Sequence, residues 1–240
     1  MLLAEQFSAT VTEAFTRGGA TANLLPMVFA RAAVSVLPVA GAGLCLTDRL
    51  RIPLAASDPD VVTAEQLQTT LGEGPCLAAV DTGGPLVADL AMMAASWPAF
   101  YERFDAETPY QSVASFPLRS PGGAYLGALD LYSTSRDTLT SRELEEVDAA
   151  VAVPITSTLF RDTVAGELDG SSVPSWLKQE SVDERMNVWV AVGMSMQRLT
   201  LTNSDALALL RGYAYSHSVT LDQVARLVTD RALQPEELMA

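Results

Sequence analysis

Cys45, Cys76 and His217 are the two thiols and the one imidazole of the 240-residue chain. Cys76 ends the run Gly72-Glu73-Gly74-Pro75-Cys76. The two glycines open backbone conformations closed to other residues, and a cysteine that opens a helix is favoured as thiolate. The run reads either as a ligand-cradling loop with a reactive thiol or as a tight turn whose cysteine packs like a small hydrophobe. A zinc site needs three or four Cys and His ligands close together, which three scattered residues do not provide, so no metal site is expected. His217 has no second histidine near it and no Ser and Asp placed for a triad, so it reads as a surface or helix-end residue and no catalytic residue is assigned.

Composition narrows the classes. Hydrophobic residues make up 49% of the chain and charged ones 18%, enough for one or two proper cores and too apolar for a disordered segment. The formal net charge is -14 and the pI near 4.3, so the chain repels phosphate backbones at long range. Two cysteines do not make a disulfide framework and point to a reducing compartment. No run approaches the ~18–20 apolar residues of a membrane span. Met1-Leu2-Leu3-Ala4-Glu5 lacks the basic start of a signal peptide, so a cytoplasmic protein is expected.

The elements that would position these groups follow from periodicity. Leu3, Phe7, Val11 and Phe15 make one apolar stripe on a helix over 2–17, packed on its own domain or on a second copy of the chain. A helix over 22–37 is apolar nearly all round and should lie against a sheet. Strand-like pieces follow at 42–47 and 52–56, then a helix with Val62, Leu67 and Leu71, a short helix after Cys76, and a strand at 85–89. Trp97, Phe100, Tyr101 and Phe104 share one face of the next helix, as a core stripe or a ligand cage. Residues 112–118 and 125–132, the second alternating cleanly, read as a hairpin around Gly122-Gly123, and Ser141 should cap a helix running to about Val164. Adjacent final strands without βαβ repeats predict an α+β fold with an antiparallel sheet flanked by helices over 1–165. Residues 166–175, rich in Gly and Ser, read as a linker, and 176–240 as a small three-helix bundle. In the bundle, Met186, Val190, Gly193, Met194 and Gln197 line a face of the first helix. Asn203 or Ser204 should cap the second helix and Thr220 the third.

Taken in order, these segments resemble two known families. Gly72-Glu73-Gly74-Pro75-Cys76, Pro85-Leu86-Val87-Ala88-Asp89-Leu90, Trp97-Pro98-x-Phe100, Pro117-Leu118 and Leu126-Gly127-Ala128-Leu129-Asp130-Leu131-Tyr132 resemble GAF domains of the type common in actinobacteria. Ala191-Val192-Gly193-Met194, Asp205-Ala206-Leu207, Leu210-Arg211-x-Tyr213-Ala214 and Leu221-x-x-Val224-Ala225-x-x-Val228 resemble the ANTAR domain, an RNA-binding antiterminator module. The resemblance implies a signal-responsive transcription antitermination regulator. Its GAF domain would sense an unknown small ligand or partner. Its ANTAR domain, acting as a homodimer, would hold a two-hairpin RNA element that overlaps a terminator.

The resemblance also nominates residues. A GAF pocket would lie between sheet and connecting helices, with Trp97, Phe100, Phe116, Leu129 and Cys76 as its lining. The cyclic-nucleotide signature of some GAF domains is not visible here, so the ligand is left unknown and no cofactor is named. Some GAF proteins reduce free methionine sulfoxide by cysteine exchange, but the cysteine cluster of those enzymes is absent and no enzyme is expected. RNA contacts would come from Gly193, Arg198, Arg211, Tyr213 and His217. The family commonly sets a Lys beside the glycine of its first helix. Here Gly193 has Val192 and Met194 as neighbours, and Arg198 would take that part. Trp189 is either a core anchor or a stacking platform. Residues 181–240 hold five arginines against seven acids, which motivates the alternative: a tail that has lost RNA binding and serves as a protein-interaction or dimer module.

Overall fold

A computed structural model describes residues 2–47, 50–120, 122–136, 139–168, 174–177 and 180–239. Five strands, β1 (Gly41–Thr47), β2 (Arg51–Ala56), β3 (Leu86–Asp89), β4 (Ser112–Arg119) and β5 (Tyr125–Ser133), form one antiparallel sheet in the order β2-β1-β5-β4-β3. The β4–β5 hairpin turns at Gly122-Gly123, where Gly123 has φ +88° and donates its N–H to the Ser120 carbonyl. Ser115 stands opposite Asp130 and Phe116 opposite Leu129. Because side chains alternate, those two pairs point to opposite faces of the sheet.

One face carries α1 (Leu3–Thr16), α2 (Leu25–Val36), and a long helix whose halves α7 (Ser141–Val147) and α8 (Val153–Leu168) flank a π turn at Asp148–Ala152. Its core joins Phe7, Phe29, Leu44, Phe116, Leu129 and Ile155. Phe7 stacks on Phe29, so the N-terminal stripe is spent on its own domain. The other face carries α3 (Pro59–Leu71), α4 (Pro75–Thr82), α5 (Leu90–Ser96) and α6 (Pro98–Glu107), over Val61, Phe100, Phe104, Tyr110 and Tyr132. The layered α+β architecture is the one expected. The cap of α7 is Thr140 rather than Ser141: its Oγ accepts the Glu143 N–H while Glu143 reaches back to the Thr140 N–H, the reciprocal arrangement that fixes a helix start.

The tail forms α9 (Glu180–Leu199), α10 (Asn203–Ser216) and α11 (Leu221–Thr229) around Val188, Val192, Leu207, Leu210, Leu221, Val224 and Val228. Thr220 caps α11, as read from the sequence, whereas α10 is capped by Thr202, whose Oγ accepts the Asp205 N–H. Thr202-Asn203-Ser204-Asp205 offers four capping side chains in a row, and only the N–H spacing selects among them. The face of α9 is also corrected. Met186, Val190 and Gly193 look to solvent, and Val188, Ala191, Val192 and Ser195 face the bundle. Val188 and Val192 give the buried stripe its apolar character, and the small Ala191 and Ser195 beside them let α11 pack close to α9.

Of the linker, 169–173 lies outside the described residues. Helix α8 continues to Leu168, and Trp176 is buried with the core under the first face of the sheet.

Candidate functional site

Between the second face of the sheet and α3 lies a buried polar cluster that begins with Arg51, the first residue of β2, whose side chain is 1% exposed. Its Nη2 donates to Glu65 Oε2 at 2.6 Å and to Asp130 Oδ2 at 2.7 Å. Nη1 donates to the Glu65 carbonyl at 2.9 Å and to Thr69 Oγ at 3.4 Å, and Nε points at Cys76 Sγ, 3.1 Å away. All five donors of the guanidinium are thus engaged without water, which is how a fully buried cation persists. Tyr132 O–H donates to Glu65 Oε1 at 2.7 Å, and Gln68 Nε2 donates to Asp130 Oδ2 at 3.0 Å. Gln68 Oε1 accepts the Cys76 N–H at 2.9 Å, tying the start of α4 to α3.

Local sequence explains why these groups meet. Asp58 caps α3 and Pro59 opens it, which fixes the rotation that turns Glu65 and Gln68 toward the sheet. Gly43, across β1 from Asp130, leaves the room taken by the Glu65 carboxylate: a Cβ there would lie 2.3 Å from Oε1. Gly72 ends α3 at φ +71° and Gly74 turns at φ +131°, so the chain reverses tightly enough to bring Cys76 under Arg51. Cys45, on β1, lies 3.3 Å from Cys76 through their sulfurs, and both residues are completely buried.

Burial dominates the electrostatics. It raises the Glu65 carboxyl to about 7, although the Arg51 charge pulls the other way. Burial, then the contact with Cys45, holds the Cys76 thiol well above its usual range, against the pull of Arg51. Glu65 therefore favours its proton in the fold more than in the unfolded chain. The stability this gives is complete below the ordinary carboxylate range and is lost as pH rises toward 7. Glu65→Gln is expected to remove about 2 kcal/mol of the pH 5 to pH 7 change in unfolding free energy, measured by urea titration at both pH values. An unaltered pH dependence would place the Glu65 proton elsewhere.

The residues nominated from sequence separate into several places. Phe100 is buried in the aromatic cluster with Phe104, Tyr110 and Tyr132, and Trp97 packs at its edge. Phe116 and Leu129 face the opposite side of the sheet, in the core with α2 and α8. Cys76 alone of that set belongs to the polar cluster. In the tail, Gly193 and Arg198 lie on the outer side of α9, with Arg198 paired to Glu236 beside a groove of about 670 Å³ that also holds Arg231. Tyr213 stacks on His217 at 3.9 Å between ring centres. Arg211 turns away from both, onto Gly72, where a Cβ would lie 2.2 Å from its Cζ. Burial and the nearby Arg185 hold its guanidinium below the ordinary value. Trp189 packs partly into the bundle core.

The tail is seated on the same helix that roofs the polar cluster. Leu50, one residue before Arg51, is 2% exposed and forms part of the bundle's core. The Leu221 N–H donates to Thr70 Oγ at 3.2 Å, and Tyr215 O–H donates to Glu102 at 3.2 Å. The docking surface is thus β2, α3 and the turn after it.

The profile of the GAF-domain family matches residues 23–152, which take in the whole sheet and the polar cluster. The chain belongs to the GAF family. Solved GAF domains share the architecture. The domain from an Acinetobacter phosphoenolpyruvate-protein phosphotransferase is 10% identical, with a TM-score of 0.50 over 69% of this chain and 97% of that one. Its Coxiella burnetii counterpart is 17% identical (TM-score 0.49; 68% and 98% covered). The phycocyanobilin-bound GAF domain of a cyanobacterial phytochrome is 12% identical (TM-score 0.49; 69% and 98% covered). No curated protein matches the chain. At these identities the likeness is one of fold.

Within the GAF domain, the sequence reading passed over Arg51, Glu65, Gln68 and Asp130. Asp130 carried a usable signal, as an acid at an inward position of a strand otherwise written Leu-Gly-Ala-Leu-x-Leu-Tyr. Asp130 Oδ1 and Ser115 Oγ, buried and opposite each other in the sheet, have no hydrogen-bond partner among the described residues.

Proposed function

We propose that the chain is a non-catalytic signalling regulator in which the state of the buried polar cluster governs how the helical tail is presented. One observation carries this reading. Leu50, the residue just before the strand that begins with Arg51, sits in the core of the tail, so the receiver's interior and the output meet at consecutive residues. The unsatisfied Asp130 Oδ1 and Ser115 Oγ support a small polar ligand as the signal, recognised by hydrogen bonding at the centre of the sheet.

The proposed output is RNA binding by an ANTAR-like tail that prevents transcription termination, in a cytoplasmic homodimer. Its support is the ordered series of tail motifs together with a groove that pairs Arg198 with Arg231. Met186 and Val190, 58% and 51% exposed one turn apart on α9, fit an interface with a second copy. In the docked form Arg211 is turned onto Gly72, so RNA contact through it requires the tail to loosen from the GAF domain. The second reading, a protein-interaction module, is favoured by the tail's excess of acids and by the pairing of Arg198 with Glu236. Filter binding with full-length protein and a two-hairpin RNA separates the two. Under the RNA reading Arg198→Ala weakens retention about tenfold, as expected for loss of one well-placed arginine contact. Retention indifferent to Arg198→Ala and Arg211→Ala, or none by wild type, would leave the interaction module.

A further inference from the structure

Both cysteines of the chain meet at one point. Cys45 comes from β1 and Cys76 from the first turn of α4, 31 residues apart, with their sulfurs 3.3 Å apart and unbonded. Among the described residues, the apolar side chains clustered with them are Ala128 and, at the edge, Val80. Packing alone does not call for two thiols here, since alanine or valine would fill the space. Packing alone also does not explain a guanidinium N–H directed at Cys76 Sγ from 3.1 Å. That donor stabilises negative charge as it develops on the sulfur, the condition under which a thiol attacks.

We propose that Cys45 and Cys76 form a dithiol–disulfide pair, oxidised by hydroperoxides, whose closure is transmitted to the tail through the Gly72–Cys76 turn. In the first step the Cys76 sulfur attacks the peroxide. An S–O bond forms, the O–O bond breaks, and the thiol proton leaves with the alkoxide as alcohol. In the second, Cys45 attacks that sulfur. The S–S bond forms, the S–O bond breaks, and the Cys45 proton leaves with hydroxide as water. Two thiols lose two electrons and the peroxide gains them. Burial keeps Cys76 protonated at rest, so the reaction is slow until α4 loosens, which makes the pair a gated site rather than a scavenger. A disulfide needs its sulfurs at about 2.05 Å, so the start of α4 and β1 must draw together. The Cys76 N–H is bonded to Gln68, and Arg211 of the tail rests on Gly72, so that movement bears directly on the docked tail. The thiol chemistry stands by itself; only its transmission rests on the coupling proposed above.

The test uses reduced full-length protein and tert-butyl hydroperoxide. Free thiols counted in denaturant should fall from two per chain to none, and unreduced peptide maps should join the Cys45 and Cys76 peptides within one chain. Dithiothreitol should restore both thiols. Cys45→Ser should yield a dimedone-trappable sulfenic acid at Cys76, while Cys76→Ser should leave Cys45 at least tenfold slower to react. Hydrogen exchange over 203–229 should differ between reduced and oxidised wild type. Links between chains, independent oxidation of each thiol without a link, or two thiols persisting until the protein unfolds would overturn the pair. A clean disulfide with unchanged exchange over 203–229 would overturn the transmission. None of these readouts involves RNA, so failure of the RNA reading is told apart from failure of this one.

Discussion

Arg51→Met is expected to lower the unfolding free energy by about 3–5 kcal/mol, read from urea midpoints at constant slope. The side chain is of similar length, so little packing is lost. What is lost is the only cation among the described residues that is hydrogen-bonded to Glu65 and Asp130, both buried beside it. A carboxylate left in that position either stays charged at a high desolvation cost or takes up a proton, and each route weakens the fold. The expected companion result is recovery: Arg51→Met combined with Glu65→Gln and Asp130→Asn should regain a large part of the loss, because no buried charge is then stranded. If the single variant cost under about 1 kcal/mol, the guanidinium would be no more than a surface-type ion pair.

Leu50→Asp is expected to release the tail. Truncating a buried leucine costs about 2–5 kcal/mol, and the aspartate adds the penalty of a charge without a partner. The GAF core survives, since Leu50 packs with the bundle and not with either face of the sheet. Calorimetry should therefore change from one cooperative transition to two. The lower belongs to a freed bundle of three short helices, which is marginal by itself. A single transition shifted downward would mean that tail and receiver fold as one unit with no separable interface.

The sheet was legible because two residue-level rules agreed along it. Residues 125–132 alternate, and Gly122-Gly123 supplies a turn of the required hand, so β4 and β5 could be paired before any coordinates. The third tail helix was equally plain: Leu221, Val224, Ala225 and Val228 repeat at helical spacing behind Thr220, and all four are buried. The first tail helix misled for a physical reason. Apolar side chains occur on both sides of it: Met186 and Val190 are exposed while Val188 and Val192 are buried with Ala191 and Ser195, so hydropathy alone does not choose the buried face.

The candidate site was mostly hidden. Arg51, Glu65 and Asp130 lie on three elements, separated by 14 and 65 positions, and no periodicity links them. Size and aromaticity selected Phe116 and Leu129 for the pocket. Their neighbours Ser115 and Asp130, one position away on the same strands, face the polar cluster instead. A one-residue step in a strand exchanges the two faces of a sheet, so a reading that places a strand correctly can still choose the wrong half of it. Cys76 was found because the glycines around it are punctuation that sequence shows directly; its meeting with Cys45 is purely tertiary.

Hydrogen exchange by mass spectrometry on full-length wild type and Arg51→Met compares the receiver's interior with the tail in one measurement. Amides over 59–82, which roof the polar cluster, and amides over 203–229, which touch none of its charges, should lose protection together. Faster exchange over 59–82 with 203–229 unchanged would contradict the coupling of receiver to tail.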